Sequence, residues 1–231
     1  MTIAVLLRTP AVSVALTLTA YALAVILHRR FRWIPPIVAA CLPIVALLLL
    51  LHESYATYNT GGNLLTWMLG PATVALAVPM VRNGKALQKS LPTLALIVLA
   101  GTIVGMVTAG MTAWLLGAPI PVVMSAVPKS VTTPIAIEVC RELKGIPQIT
   151  IALVILAGVL GASFGVPLLH LFGVREDRAI GAAIGTASHG VGTASLVRHS
   201  EMQASVSSWA MAAAGIFTSL LAALLALFLR P

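Results

Sequence analysis

Apolar residues fall in long runs along the chain, at about 11–27, 34–51, 64–81, 91–116, 121–140, 147–172, 179–197 and 203–229, with short polar connectors between them. A helix rises 1.5 Å per residue, so about twenty apolar residues cross a hydrocarbon core roughly 30 Å thick. A membrane β-barrel would instead alternate polar and apolar positions in segments of about ten residues. The pattern predicts an all-α, polytopic transmembrane protein with eight apolar segments, organised as a single domain over residues 1–231. Breakers inside several segments mark two or more of them as broken or re-entrant. The longest connector, 52–63, carries Tyr55, Tyr58 and Gly61-Gly62, and its tyrosines suit a membrane–water interface.

Composition agrees with this reading. Hydrophobic residues make up 59% of the chain and charged residues 9%, against about 25% charged in a soluble domain. That excludes a soluble enzyme, a nucleic-acid module and a disordered tail. The formal net charge of +8 fits loops that fix orientation, since no basic stretch is interleaved with exposed aromatics. With the N-terminus outside and every segment crossing, the inner loops would hold Arg29, Arg30, Arg32, Arg82, Lys85, Lys89, Arg141, Lys144 and Arg198. The outer side would hold Arg8, Arg175, Arg178 and Arg230. The expected location is an inner membrane. The run 11–27, preceded by Arg8, imitates a signal peptide but reads as a retained first anchor. Cys41 and Cys140 have no partner spacing and read as buried small hydrophobes.

A weak internal repeat relates 70–79 to 185–194, at an offset of 115 or 116 residues, and each block is followed by a long apolar span. Pro71 and Thr73 are the chemistry-bearing residues of the first block. Breaker-interrupted segments in matching positions of two halves point to a transporter's binding site. Eight crossings would make the repeats parallel. An inverted pair would require one segment, 121–140 above all, not to cross.

Two segments carry candidate chemistry. In 125–136, Pro128 and Pro134 disrupt the helix twice, because each lacks an N–H and biases its predecessor away from the α region. The freed backbone groups must line a cavity or meet polar partners. Ser130, Thr132 and Thr133 supply hydroxyls, and Lys129 supplies a cation that is costly near mid-membrane. A helix opened by Pro134 would point its N–H groups and positive dipole end at the same place, suiting a carboxylate. The blander reading has Lys129 snorkelling to an interface while the hydroxyls satisfy a kink. In 181–195, four glycines weaken the helix around Thr186, Ser188, His189, Thr193 and Ser195. Imidazole as a group titrates near neutrality, so His189 suits a coupling proton or a substrate hydrogen bond, or it is a packed core residue.

Other motifs carry less. Gly190-Val191-Gly192 lacks the third glycine and the preceding strand of a dinucleotide fingerprint. The pairs Gly101/Gly105, Gly161/Gly165 and Gly181/Gly185 favour close helix packing and make a homodimer plausible. No acid accompanies His189 in sequence, so hydrolase chemistry is not expected, and no cofactor or metal motif occurs. No Asp lies in an apolar interior, and Glu138 sits near the end of its segment. Cation antiport and acidic cation channels are therefore disfavoured. A buried cation among hydroxyls suits a small anion, such as a carboxylate of five to eight atoms.

The blocks 128–136 and 185–194 resemble the signatures of the LrgB/CidB family, which includes the YohK proteins, and 71–79 resembles a third block. The similarity spans nearly the whole chain. Gly190, where relatives often carry Ala, and the charged stretch 140–145 are departures outside the core of the motifs. The resemblance implies one of two activities. Bacterial members are named as holin-like or antiholin-like modulators of murein hydrolase activity and autolysis, commonly encoded with a small LrgA/CidA-type membrane partner. Plant plastid relatives are glycolate/glycerate translocators, and some bacterial pairs are linked to pyruvate uptake. Taken with the buried lysine, these expectations favour a small-carboxylate carrier whose site comprises Lys129, Ser130, Thr132, Thr133, Pro134, Thr186, Ser188, His189 and Thr193.

Overall fold

A computed structural model describes residues 9–31, 34–197 and 199–228. Arg8, Arg32, Arg198 and Arg230, named above for orientation, lie outside the described residues. The chain divides into two compact units, Met1–Val74 and Ala75–Pro231.

In the first unit, α1 (Pro10–Arg30) packs against α2 (Pro36–Leu50) and α3 (Tyr55–Trp67). Ile44 and Leu48 bury against Val12, Leu16 and Tyr58. The Tyr58 hydroxyl lies 2.6 Å from Thr17 Oγ1, which itself donates to Ser13 O. Cys41 is exposed on α2, correcting its expected burial, whereas Cys140 of the second unit is buried. The connector expected at 52–63 is helical from Tyr55 onward, because Ser54 caps it by accepting the Thr57 N–H at 3.2 Å. Pro71 and Thr73 lie in α4 (Leu69–Ala75), which continues through α5 (Ala77–Arg82).

The second unit is built on three long apolar helices, α7 (Leu91–Leu115), the run Pro147–Leu171 and α13 (Glu201–Phe228). The middle run comprises α10 (Pro147–Leu160), a π-helical turn (Gly161–Gly165) and α11 (Val166–Leu171). Pro167 has no N–H to return to the preceding turn, which accounts for the widened ladder there. Helix α7 and α13 run in the same direction, since Leu94 meets Val206 while Val98 meets Ala210, Ala213 and Ala214. We call the end holding Ser90 and Ser200 the first end, and the end holding Leu115 and Phe228 the second. Short helix α6 (Gly84–Gln88) buries Leu87 at the first end.

Between the long helices sit two helical hairpins that do not cross. The first runs from α8 (Ile120–Ala126) through 127–132 into α9 (Thr133–Glu142). It enters from the second end, with Val123 and Val127 beside Gly110 and Ser130 opposite Gly105. It then returns to that end, where Val139 and Leu143 pack on Ala222 and Ala226. The second is α12 (Asp177–Leu196), which reverses at Ser188 (φ −132°, ψ 15°) and His189 (φ 41°, ψ −143°). Leu196 packs on Ile180 and Ile184, residues that a straight helix would hold about 24 Å and 18 Å away. The expectation of eight crossing segments is therefore corrected. Segments 121–140 and 179–197 fold back, and among the described residues five helices are long and apolar enough to span, with Pro36–Leu50 a shorter sixth. The breakers make these two segments re-entrant, one of the two outcomes expected of them. Because both hairpins return to their own end, Arg175 and Arg178 share an end with Arg82, Lys85 and Lys89, while Arg141 and Lys144 lie at the other.

Both hairpin tips stop at mid-depth. Ser130 faces the middle of α7 at Gly105, and Ser188 faces the middle of the 147–171 run at Gly161. The two helix–hairpin units are inverted copies of each other. Each long helix ends in the same C-terminal turn, with Gly117 at φ 77° and Gly173 at φ 78°, 56 residues later. Ala118 N–H donates to Ala113 O, and Val174 N–H donates to Leu169 O. Only glycine adopts this left-handed cap without cost. The contacts Gly105–Ser130 and Gly110–Val127 in one copy recur as Gly161–Ser188 and Gly165–Ile184 in the other. The repeat expected at 115 or 116 residues is corrected: 185–194 spans a hairpin tip, whereas 70–79 runs on as successive helical turns. Shared small-residue composition produces that likeness.

Candidate functional site

A cavity of about 700 Å³ opens between α7 and the first arm of the second hairpin. Lys89, Ser90, Glu176 and Arg178 line it at the first end. Its walls are Leu94, Ile97, Gly101 and Thr102 of α7 facing Ala182, Ala183 and Thr186 of α12. Its floor is Pro128, Lys129 and Ser130 at the tip of the first hairpin, with Thr218 of α13. Glycine at 101 lets the walls approach, since a methyl there would stand 3.2 Å from the Thr186 methyl.

Lys129 is half-buried and its ammonium donates to Ser130 Oγ at 3.1 Å. Ser130 keeps its own proton for another acceptor. Thr102 and Thr186 donate to Val98 O and Ala182 O, each at 2.7 Å. Their oxygens therefore turn only lone pairs toward the cavity. Ala187, exposed beside the second tip, also lines the cavity.

The other expected site residues fall outside this lining. Thr132 caps α9, its C=O accepting the Ala136 N–H at 2.9 Å, and Pro134 follows in the first turn. The helix thus begins where the proline places it, with its N-terminus at mid-depth, but Thr132, Thr133 and Pro134 do not reach the cavity. Ser188 packs on Gly161, where a methyl would overlap its hydroxyl. His189 is buried, and its Nε2 lies 2.9 Å from Val154 O. Thr193 Oγ1 donates to His189 O at 2.8 Å and meets Ser207 Oγ at 2.9 Å. Together these interactions hold the second tip in its reversal. Val154 also packs on Val131 and Ala136, so one residue of α10 touches both tips. Pro71 and Thr73 lie in the other unit.

Each hairpin is clamped at its base. In the first, Ile146 N–H donates to Ser125 Oγ at 2.7 Å and Thr150 Oγ1 donates to Ser125 O at 2.9 Å. In the second, Ser200 Oγ and Gln203 Nε2 donate to the two oxygens of Asp177 at 2.5 and 2.8 Å. The Ser200 hydroxyl, then the Gln203 amide, hold the Asp177 carboxyl below its usual range, against a smaller opposing effect of burial. The glycine pairs are engaged inside the unit: Gly101/Gly105 line the cavity, Gly161/Gly165 receive the second tip, and Gly181/Gly185 pack on Gln203, Val206 and Ser207. A homo-oligomer would need another face. Among the described residues no group of three or more His, Cys, Asp or Glu is placed to hold a metal ion.

The LrgB-like family model matches residues 17–228. The chain belongs to the LrgB-like family. It is 34% identical over 208 residues to the uncharacterized protein YxaC of Bacillus subtilis (strain 168), covering 89% of this chain and 90% of the relative. It is 31% identical over 214 residues to the antiholin-like protein LrgB of Bacillus mycoides (strain KBAB4), covering 91% of this chain and 93% of the relative. An uncharacterized protein of Haemophilus influenzae is 32% identical over 209 residues, covering 90% of this chain and 90% of the relative. No solved structure matches. Family membership and the long apolar helices make this LrgB-like chain a multi-pass membrane protein.

Sequence reasoning singled out Lys129, Ser130 and Thr186 but missed the wall and mouth. Thr93, Thr102, Thr218, Lys89 and Arg178 all line the cavity. The available signal was Gly101/Gly105 on α7, which reads on its own only as a packing pair. Thr102 lies between those glycines, one residue after the first.

Proposed function

We propose that this LrgB-like protein carries small carboxylates, of glycolate, glycerate or pyruvate type, across an inner membrane. The observation that carries the reading is Lys129 at the floor of a cavity that reaches one end of the unit, beside Ser130 and across from Thr186. An ammonium at mid-depth is expensive and needs an anion or a water-filled cavity to keep it there. Lys129 would hold the carboxylate, and the lone pairs of Thr102 and Thr186 would accept from any hydroxyl the substrate brings. Orientation follows from the charge of the second unit: among its described residues five cations, Arg82, Lys85, Lys89, Arg175 and Arg178, lie at the first end, against Arg141 and Lys144 at the second. The cavity would then open to the cytoplasm. The inverted repeat supplies a second access. The cavity side is open at Gly105–Ser130, where a methyl on the glycine would be an ordinary 3.9 Å from the hydroxyl, whereas Gly161–Ser188 is shut tight. Exchanging those two arrangements would close the first end and open the second. No chemical transformation is part of the cycle, so the protein is not proposed as an enzyme. An LrgA/CidA-like membrane partner fits a carrier and a lytic regulator equally.

A second reading, a holin- or antiholin-like regulator of murein hydrolase activity, is favoured by the name that relatives such as the Bacillus mycoides protein bear. The two part in liposomes containing the purified protein. A carrier gives saturable uptake of labelled glycolate, glycerate or pyruvate and retains a large trapped dye. Loss of the dye without saturable uptake would overturn the carrier in favour of a lytic pore.

A further inference from the structure

Two cationic positions bound the same cavity, and they are far apart. Ser90, the N-cap of α7 and hydrogen-bonded to Arg178, and Gly105, facing Ser130, are fifteen residues apart, about 22 Å along the helix. Between them the walls are neutral, with Thr93, Leu94 and Ile97 facing Ala179, Ala182 and Ala183. A carboxylate of a few atoms cannot touch both cations at once. Arg178 is half-buried, and one guanidinium nitrogen donates to the neutral Ser90 Oγ at 2.8 Å. The remaining N–H donors of its rigid fork are left for another acceptor. The two acids beside it keep their negative charges but neither pairs with Arg178: Glu176 accepts the Ala179 N–H at 2.9 Å, and Asp177 accepts from Ser200 and Gln203. Lys89 adds a second positive charge at the same mouth.

We propose that Arg178, positioned by Ser90 and supported by Lys89, forms an outer anion station that captures the carboxylate before it moves down the neutral wall to Lys129. This rests on the carrier reading for its role in transport, but the station itself is an electrostatic property of the cavity and can be read without transport. A charged cleft with low-dielectric walls raises the local concentration of the opposite ion and speeds its arrival by about tenfold or more.

The test uses Ala183→Cys in a Cys41→Ser background, which puts a thiol on the wall between the stations and leaves the buried Cys140 in place. The rates of modification by an anionic and a cationic methanethiosulfonate reagent are compared in detergent at low salt. The expected anionic-to-cationic ratio falls about tenfold with Arg178→Gln, is held by Arg178→Lys, and converges between variants as salt rises. An unchanged ratio in Arg178→Gln overturns the station whatever the transport assay shows. In liposomes, Arg178→Gln should raise the KM for uptake several-fold with maximal flux preserved, while Lys129→Met should lose flux. Absence of uptake by the wild type would count against the carrier and leave the thiol result standing on its own.

Discussion

Replacing Lys129 with Met removes the ammonium from the cavity floor and keeps a straight aliphatic side chain of similar length. Inside the protein the substitution removes little: one hydrogen bond to Ser130 Oγ at 3.1 Å, from a serine that lines the same cavity and can turn to water. Folding should therefore be nearly unaffected. With a bound carboxylate it removes much more. A hydrogen bond to a charged group contributes about 1.5–3 kcal/mol, and two opposite charges about 4 Å apart attract by about 4 kcal/mol at an effective dielectric of roughly 20 before desolvation is subtracted. Taking about 1.5–3 kcal/mol as the net, affinity falls roughly 10- to 150-fold at about 1.4 kcal/mol per tenfold. The assay is concentration-dependent uptake of labelled carboxylate into liposomes, with the elution profile in detergent as the folding control. Lys129→Arg, which preserves charge, should recover part of the loss. A well-folded Lys129→Met protein with wild-type KM and flux would refute the assignment of Lys129 to the substrate.

Three other outcomes follow from the hairpins. Gly161→Ala forces a methyl onto the Ser188 hydroxyl and should lower thermal stability by about 1–3 kcal/mol, whereas Gly105→Ala, at the equivalent place in the open copy, should leave the melting temperature nearly unchanged; equal effects would contradict the asymmetry. His189 has φ 41°, a conformation that favours glycine, so His189→Gly should be more stable than His189→Ala by about 1 kcal/mol, because both lose the bond to Val154 O but only glycine relieves the backbone; the reverse order in thermal unfolding would show that the reversal is not strained there. The depressed Asp177 carboxyl stabilises the native state above the unfolded pKa of about 3.9, and that stabilisation is lost as pH falls through the lower folded value; a pH series of melting temperatures should show an acid-side decline that Asp177→Asn shrinks, and an identical decline in the variant would mean that other groups carry it.

Hydrophobic patterning discloses the class of fold because lipid leaves the backbone few options. Every long helix is visible as a run, and its apolar residues still face outward, as Leu49, Leu96, Leu156 and Leu224 do. What patterning cannot disclose is direction. A segment of about twenty apolar residues has the same composition whether it crosses once or enters and returns, and 179–197 is apolar in both cases. The deciding information sits in two residues, Ser188 and His189, whose backbone angles turn the chain back. A histidine at positive φ is not announced by its neighbours, and Gly190, the residue that would suggest a reversal, sits one place late.

The same limit explains which site residues are legible. Lys129 stands out because a cation in an apolar run is costly wherever the run goes. Ser130 comes with it as a neighbour, and Thr186 comes from a glycine-rich block that has to do something unusual. Thr132, Ser188 and Thr193 share those signals, yet the Thr132 carbonyl and the Thr193 hydroxyl bond within the hairpins and Ser188 packs on Gly161, because a reversed chain at mid-depth has its own backbone groups to satisfy before any ligand's. Arg178 is invisible for the opposite reason. At a loop end an arginine looks like any topological anchor, and only the fold brings it to the same wall as Ser90, eighty-eight residues earlier. The inverted repeat is hidden similarly: its two copies share turn geometry at Gly117 and Gly173 and matching close approaches at Gly105–Ser130 and Gly161–Ser188, but few side chains. An inverted pair has to preserve where glycine is needed and where a tip must stop. It need not preserve Lys129, which has no cationic counterpart at the second tip, and a site with a single lysine can be offered to the two sides of a membrane only in turn.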